Sequence, residues 1–449
     1  MGMDDAVYRL LKNRVGAAHI TRNPEDRVCY SYDAAPGQPF MPDAVVFPGS
    51  EAEVSDIMHL AWEKRIPVIP RGSGSGMTGG AVPVKGGLVM ALTRMNRILA
   101  IDTDNFVATV EPGVILNSLH AAVEKQGLFY PPDPASSSVC TIGGNVGECA
   151  GGPRAVKYGV TRDYVLGLQA VLPGGDIIRT GVCTAKGVAG YDLTRLIVGS
   201  EGTLAVVTQI TLKLLPKPAY VLTMAVSFDD MDTAARTVAG IMRRAVIPRC
   251  VEYLDDASLS LVKDQLQFDL PAQARALLIL ELDGDEIQVE AQSKQIRTFC
   301  SQSGALDIRI AGDPVQAASL WQARKALSPT LYKIASQKLN EDVVVPISKI
   351  PEMVSRIRTI QKESGLTIVS FGHAGDGNIH CNIMYDKTDD SQVKQAHKAV
   401  DKLFAATLAL GGTITGEHGV GLSKKAYLSW EIGEKEQSIM KQIKAVFDP

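Results

Sequence analysis

No two cysteines in this chain have C-x-x-C spacing. The seven that exist, Cys29, Cys140, Cys149, Cys183, Cys250, Cys300 and Cys381, are scattered. That argues against an iron–sulfur cluster or zinc ribbon held within the chain, and it predicts reduced thiols. No run approaches ~18 uninterrupted apolar residues, so no segment is expected to span a bilayer. The first residues, MGMDDAVYRLLKNR, lack the apolar core and cleavage site of a secretory signal, which predicts a cytoplasmic protein. No block of like charge stands out. A net charge of -3 leaves no basic field for nucleic acid.

What is present is an alternation of short apolar runs with amphipathic ones. The 449 residues are too many for one ordinary core, so two or three domains are expected. AVVFP and IPVIP read as strands. SEAEVSDIMHLAWEKR between them reads as a helix, with Ser50 as N-cap and Glu53 completing a capping box. A helix is expected around Leu116–Gln126, and residues 127–165 read as loop. GLQAVLP and GTLAVVTQITLKLLP are strands, with a turn at residues 173–175. After a boundary near 214–220 the alternation restarts. VLTMAVSF, ALLILEL and DVVVPIS are strands among helices, which suggests an antiparallel sheet covered by helices on one face. The fold class expected is α+β. The domain boundaries expected are 1–218, 219–405 and a C-terminal segment, 406–449.

The loop RGSGSGMTGG contains Gly74-Ser-Gly76-Met-Thr-Gly79, which fits G-x-G-x-x-G after a strand. A Rossmann loop must open a helix, however, and AVPVKGGLVMAL reads as turn and strand. A P-loop fails because no Gly-Lys-Ser/Thr follows. The chemistry still suits phosphate. Small residues let successive N–H groups line one concavity, and Ser73, Ser75 and Thr78 add hydroxyls. A second small-residue region, Pro131–Gly152, lets backbone approach a flat ligand through Gly143, Gly144, Gly147, Gly151 and Gly152. A third runs GSEGTLAVV from Gly199. Three such segments suit an extended ligand better than one phosphate.

RGSGSGMTGG, PPDPASSSVCTIGGNVGECAGGPRAVKYG and GYDLTRLIVGSEGTLAVVT together resemble the FAD-binding domain of the vanillyl-alcohol oxidase / p-cresol methylhydroxylase superfamily. The similarity covers nearly the whole chain and is strongest to the branch of glycolate oxidase subunits, D-lactate dehydrogenases and D-2-hydroxyglutarate dehydrogenases. It implies an FAD-binding domain of two α/β subdomains plus a cap domain, with the C-terminal segment 406–449 returning to the flavin site. By that resemblance Pro70, Arg71, Gly72, Ser73, Gly74, Ser75, Gly76, Thr78 and Gly79 hold the FAD pyrophosphate. Pro132, Asp133, Ser136, Gly143, Gly144, Asn145, Glu148 and Gly152 line the flavin and ribityl path. Glu201, Gly202 and Val207 close the adenine side or the isoalloxazine edge. The loop has no histidine of the kind some relatives use for covalent attachment, so non-covalent FAD is expected.

Three histidines fall in two C-terminal motifs, GHAGDGNIHCN (His373, His380) and TGEHGVG (His418, after Glu417). The first pair flanks a strand–turn–strand pattern, so both imidazoles can return to one place. With Glu417 they make a credible set for a divalent transition metal with open positions, zinc or manganese or iron. The resemblance supports that reading. It also implies His418 as the catalytic base, a role its ordinary pKa suits. Asn382 matches a substrate-contacting Asn, and Asn378 reaches flavin or substrate. Arg324 in LWQARKAL matches the arginine that pairs with a substrate carboxylate. Ser328 stands where a relative has Thr, and Lys338 offers a second charge. The Arg324–Lys338 spacing departs from the 2-hydroxyglutarate pattern, which favours D-lactate, then glycolate.

The expected chemistry is FAD-dependent oxidation of a small D-2-hydroxy acid to the 2-oxo acid. The electron acceptor is expected to be external, an electron-transfer flavoprotein or an iron–sulfur subunit, and a homodimer is one open assembly. The rivals are a 2-hydroxyglutarate-type dehydrogenase, an oxygen-using oxidase, a metal-independent alcohol- or phenol-oxidising flavoenzyme, and a non-catalytic electron-transfer module.

Overall fold

The computed structural model describes residues 3–184, 186–266 and 268–449. They fall into two compact units. The first comprises Met1–Gly151, Val160–Lys217 and Glu417–Pro449, the second Gly152–Gly159 and Pro218–Gly416. Among the described residues no helix is long and apolar enough to cross a membrane.

The first unit holds a four-stranded and a five-stranded sheet. In the smaller, Ala44–Val46 and Val68–Arg71 both run parallel to Leu88–Ala91. The helix Glu51–Glu63 buries Val54, Ile57 and Met58 against Val46, Leu88 and Met90. Its start is fixed as its sequence suggests. The Ser50 hydroxyl accepts from the Glu53 amide at 3.2 Å, while the Glu53 carboxylate accepts from the Gly49 amide, one residue before the expected Ser50. The larger sheet is antiparallel, in the order Ile98–Asp102, Val107–Val110, Val206–Lys213, Val165–Val171, Ile177–Gly181.

Three stretches of the expected loop 127–165 are helical: Ile142–Glu148, Ala155–Tyr158 and Thr161–Tyr164. Ile142–Glu148 forms a helix despite three glycines, which disfavour helix locally. The Thr141 hydroxyl caps it by accepting from the Gly144 amide, and Ile142 and Val146 are fully buried. Capping and burial outweigh propensity here.

The second unit is built on a seven-stranded sheet, ordered Asp307–Ile310, Tyr220–Phe228, Ala276–Gly284, Cys250–Leu254, Ile368–His373, Asn378–Tyr385, Gln337–Val344. Every neighbouring pair is antiparallel. Helices cover both faces rather than one. Leu320, Ala323 and Leu327 of the helix Pro314–Thr330 pack on Ala225, Leu277 and Ile279. The alternate residues Val226, Leu278 and Leu280 point to the opposite face and are equally buried. The helices Met231–Met242 and Glu286–Gln302 contact these same strands. The physical sign was the unbroken apolar run ALLIL at the start of Ala276–Gly284, since a strand with one solvated face alternates.

Residues 152–159 belong to this second unit. Tyr158 donates its hydroxyl to Asp283 at 2.7 Å, and the Lys157 ammonium donates to the Asp283 backbone carbonyl and carboxylate. Val156 packs against Gly375, in the turn between the two histidine-bearing strands.

Candidate functional site

In the first unit the expected cofactor residues are mostly glycines and small polar residues in loops and short elements. No helix follows Val68–Arg71, and the next regular element is the strand Leu88–Ala91, so the loop is not a Rossmann turn. Arg71 does not extend along this loop. Its buried guanidinium donates to the carbonyls of Ala81 and Cys29 and stacks on Tyr30. Burial lowers its pKa. Gly74 makes room for it: a Cβ at Gly74 would sit 2.1 Å from the Arg71 guanidinium, and its φ of +74° is left-handed. Gly72 lies against the Thr141 hydroxyl, and the Gly143 amide donates to Pro112 at 2.7 Å. The structure thus brings the glycine loop beside the capped helix carrying Gly144, Asn145 and Glu148. Pro132 accepts from His120 through its carbonyl, and Ser136 accepts from the Val139 and Cys140 amides; Asp133 lies between them. Gly202 packs on the Pro70 ring, and Val207 pairs with Ala170 in the larger sheet.

The segment after Glu417, expected to fold back beside the flavin domain, lies against these loops within the first unit. Thr78 donates its hydroxyl to the His418 carbonyl at 3.0 Å, and its own carbonyl accepts from Leu422 and Ser423. Both carboxylate oxygens of Glu201 accept backbone amides, Val420 at 2.9 Å and Gly421 at 2.8 Å. Thr78 and Glu201, expected to touch the cofactor, grip the main chain around His418. Gly79 packs against Leu422, and the Glu417 carboxylate lies 2.7 Å from where a Cβ on Gly151 would stand.

The second unit contributes a row of buried polar side chains on one face of its sheet. Residues directly opposite in an antiparallel pair share a face. Asp342 stands opposite His380, which stands opposite Phe371; His373 stands opposite Glu252; Asn340 stands opposite Asn382. His373 and His380 therefore meet, with their Nε2 atoms 3.3 Å apart and their rings edge to face. Nδ1 of His373 is held on Glu252. Burial alone would raise the Glu252 carboxyl, but the positive charges of His373 and Arg324 outweigh it and hold it below the usual carboxylate range.

Glu252 is the residue that motif reading missed. Its signal was present: a lone acid inside the strand CVEYL, where an unpaired charge is too costly to keep. Arg324 reaches the same carboxylate, donating from Nε at 2.7 Å while stacking on Phe371. Ser328 and Lys338 are also together, the Lys338 ammonium donating to the Ser328 hydroxyl at 2.7 Å. Burial pulls the Lys338 pKa down to about 8. Asn382 donates to the Val369 carbonyl and Asn378 to the Val343 carbonyl. Both keep a buried Oδ1 without a partner.

These two constellations can be set beside known proteins. Among solved structures, p-cresol methylhydroxylase with substrate bound matches with a TM-score of 0.82 at 19% identity, over 100% of this chain and 96% of that one. 4-Ethylphenol oxidase from Gulosibacter chungangensis matches with a TM-score of 0.79 at 20% identity, over 100% and 96%. The fold is that of the vanillyl-alcohol oxidase / p-cresol methylhydroxylase superfamily.

Residues 42–181 match the FAD binding domain, and residues 217–449 match the C-terminal domain of the FAD linked oxidases. The glycolate oxidase subunit GlcD of Bacillus subtilis (strain 168) is 45% identical over 423 residues, 94% of this chain and 90% of that protein. The D-lactate dehydrogenase of Anaerostipes hadrus is 38% identical over 417 residues, 91% of this chain and 87% of that protein. The chain belongs to the FAD linked oxidases and is an FAD-dependent oxidoreductase. Its own residues fit the cofactor. The buried Nδ2 of Asn145 is a donor without a protein partner, on a helix flanked by glycine-rich backbone.

Proposed function

We propose that this enzyme is a metal-assisted dehydrogenase of a small D-2-hydroxy acid, D-lactate first and glycolate next. The observation that carries the proposal is the pair of imidazoles meeting at Nε2, with Nδ1 of His373 held on a buried carboxylate. That is the donor set of a zinc, manganese or iron site. Glu417 is the proposed third ligand. It follows Gly416, whose amide donates to the backbone carbonyl and side chain of Asp342, the residue opposite His380.

In this reading Arg324 anchors the substrate carboxylate, with Ser328 and Lys338 bordering the same pocket. The partnerless Oδ1 atoms of Asn382 and Asn378 accept from substrate or cofactor. Imidazole nitrogen of His418 takes the hydroxyl proton. Bound FAD supplies the acceptor for the hydride leaving C2, and a bound divalent ion supplies the Lewis acidity that lowers the hydroxyl pKa. The names of the relatives, a glycolate oxidase subunit and a D-lactate dehydrogenase, support a short hydroxy acid. The Lys338 cation, buried beside Ser328, is what favours the second reading, a dicarboxylate such as D-2-hydroxyglutarate. Electrons leave to an external electron-transfer flavoprotein or iron–sulfur subunit rather than to oxygen, which oxygen-uptake measurements check.

The deciding experiment is anaerobic flavin bleaching against D- and L-lactate, glycolate and D-2-hydroxyglutarate. D-lactate bleaching fastest is the expected result. Preference for the dicarboxylate moves the assignment to the second reading, and bleaching by none of them overturns both.

A further inference from the structure

Glu252 is 0% exposed, in a strand whose five residues are all buried. A carboxylate there costs several kcal/mol of desolvation unless its oxygens are matched by strong hydrogen-bond donors. Both are matched, and by residues with different tasks. Oε1 holds Nδ1 of His373, directly opposite on the neighbouring strand. Oε2 accepts Nε of Arg324, which comes down from the covering helix Pro314–Thr330. The Arg324 guanidinium lies 4.6 Å from the centre of the Phe371 ring, and that ring lies 5.8 Å from the His380 ring. One buried carboxylate therefore links the helix that carries the cation to the strand that carries the imidazole.

We propose that Glu252 is a positioning residue that sets the metal ligand and the substrate cation together, a proposal resting on the metal-assisted reading above. By accepting at Nδ1 it keeps the His373 proton there, which leaves the Nε2 lone pair for an ion. By accepting Nε of Arg324 it fixes one edge of the planar guanidinium, so the remaining donors face the substrate carboxylate in one orientation. Neither donor can turn without giving up a charge-assisted bond in a dry site.

The test uses the FAD-loaded enzyme, stripped of metal by chelator and titrated with zinc, in wild type, Glu252→Gln and Glu252→Asp. Glu252→Gln is expected to keep its FAD and its far-ultraviolet circular dichroism. Its zinc affinity should fall about 10–100-fold. Its KM for D-lactate should rise roughly tenfold, with a smaller change in kcat, because a tether on ground-state binding is lost. Glu252→Asp keeps the charge and should recover part of both losses, and it serves alone if the glutamine variant does not fold. In an Arg324→Met background, Glu252→Gln should no longer move KM but should still weaken zinc binding. General damage would instead raise KM and weaken zinc binding in every background. A folded Glu252→Gln enzyme with wild-type zinc affinity and wild-type KM overturns the proposal, as does a KM loss that persists in full on Arg324→Met. A wild-type enzyme that takes up no zinc, manganese or iron overturns the metal reading and with it the His373 half; the KM cycle then decides the Arg324 half separately.

Discussion

The two units make their sites from opposite materials. The first uses backbone and small side chains, glycine at 72, 74, 79, 143 and 144 with a few hydroxyls, and where it has charged groups it turns them on itself. The second uses charged and polar side chains buried in a sheet whose core is mostly apolar. A backbone site depends on local sequence and tolerates approach by a large flat ligand. A side-chain site depends on register, because only strand pairing brings Glu252, His373 and His380 to one spot. The first kind suits holding a cofactor, and the second suits chemistry on a small polar substrate.

The largest effect should come from removing the base without disturbing the backbone that carries it. His418→Ala leaves the Thr78 hydroxyl donating to the residue 418 carbonyl, so FAD should stay bound. Stopped-flow flavin bleaching should slow about 10²–10⁴-fold. Unchanged bleaching would remove His418 from the mechanism.

Next comes Lys338, whose burial is a strain that the side-chain unit tolerates. Its folded pKa of about 8 lies below its ordinary 10.5, so between those values the unfolded chain holds a proton the native protein has lost. Stability therefore rises with pH across that window and is lowest below about 8. Lys338→Met should gain on the order of 2–3 kcal/mol near neutral pH and nothing above the ordinary lysine pKa. Thermal melts across pH measure it. The same variant should raise KM if the ammonium borders the substrate.

Glu201→Gln probes the backbone unit. It keeps one acceptor and turns an amide NH2 toward a backbone N–H, at a cost of about 1–3 kcal/mol. The expected outcome is a lower Tm together with slower bleaching, since the gripped segment carries His418. A lower Tm with unchanged bleaching would show the grip to be structural only. The smallest effect is Ser50→Ala, remote from both sites, which should cost about 1 kcal/mol in denaturant melts and leave kinetics alone.

The same contrast explains what could be read from sequence. The strands Ile368–His373 and Asn378–Tyr385 were legible because apolar runs flank a Gly-Asp-Gly-Asn turn, and the glycine loops because their composition is unusual. The helix Ile142–Glu148 was not, because its stability comes from a threonine cap and tertiary burial rather than propensity. The grip of Glu201 and Thr78 on the main chain around His418 was not legible, because those partners lie over two hundred residues away. Glu252 was visible only as an anomaly, an acid in an apolar strand. The second cover on the sheet was foreshadowed by strands that do not alternate.

The claim that the buried side-chain site does its chemistry through an ion is tested most directly by titrating zinc or manganese into metal-stripped, FAD-loaded enzyme while following anaerobic bleaching by D-lactate. The prediction is negligible bleaching in the stripped enzyme and full recovery at one ion per chain, with His380→Ala failing to recover at any ratio. Full bleaching in enzyme shown by elemental analysis to hold no metal would contradict it.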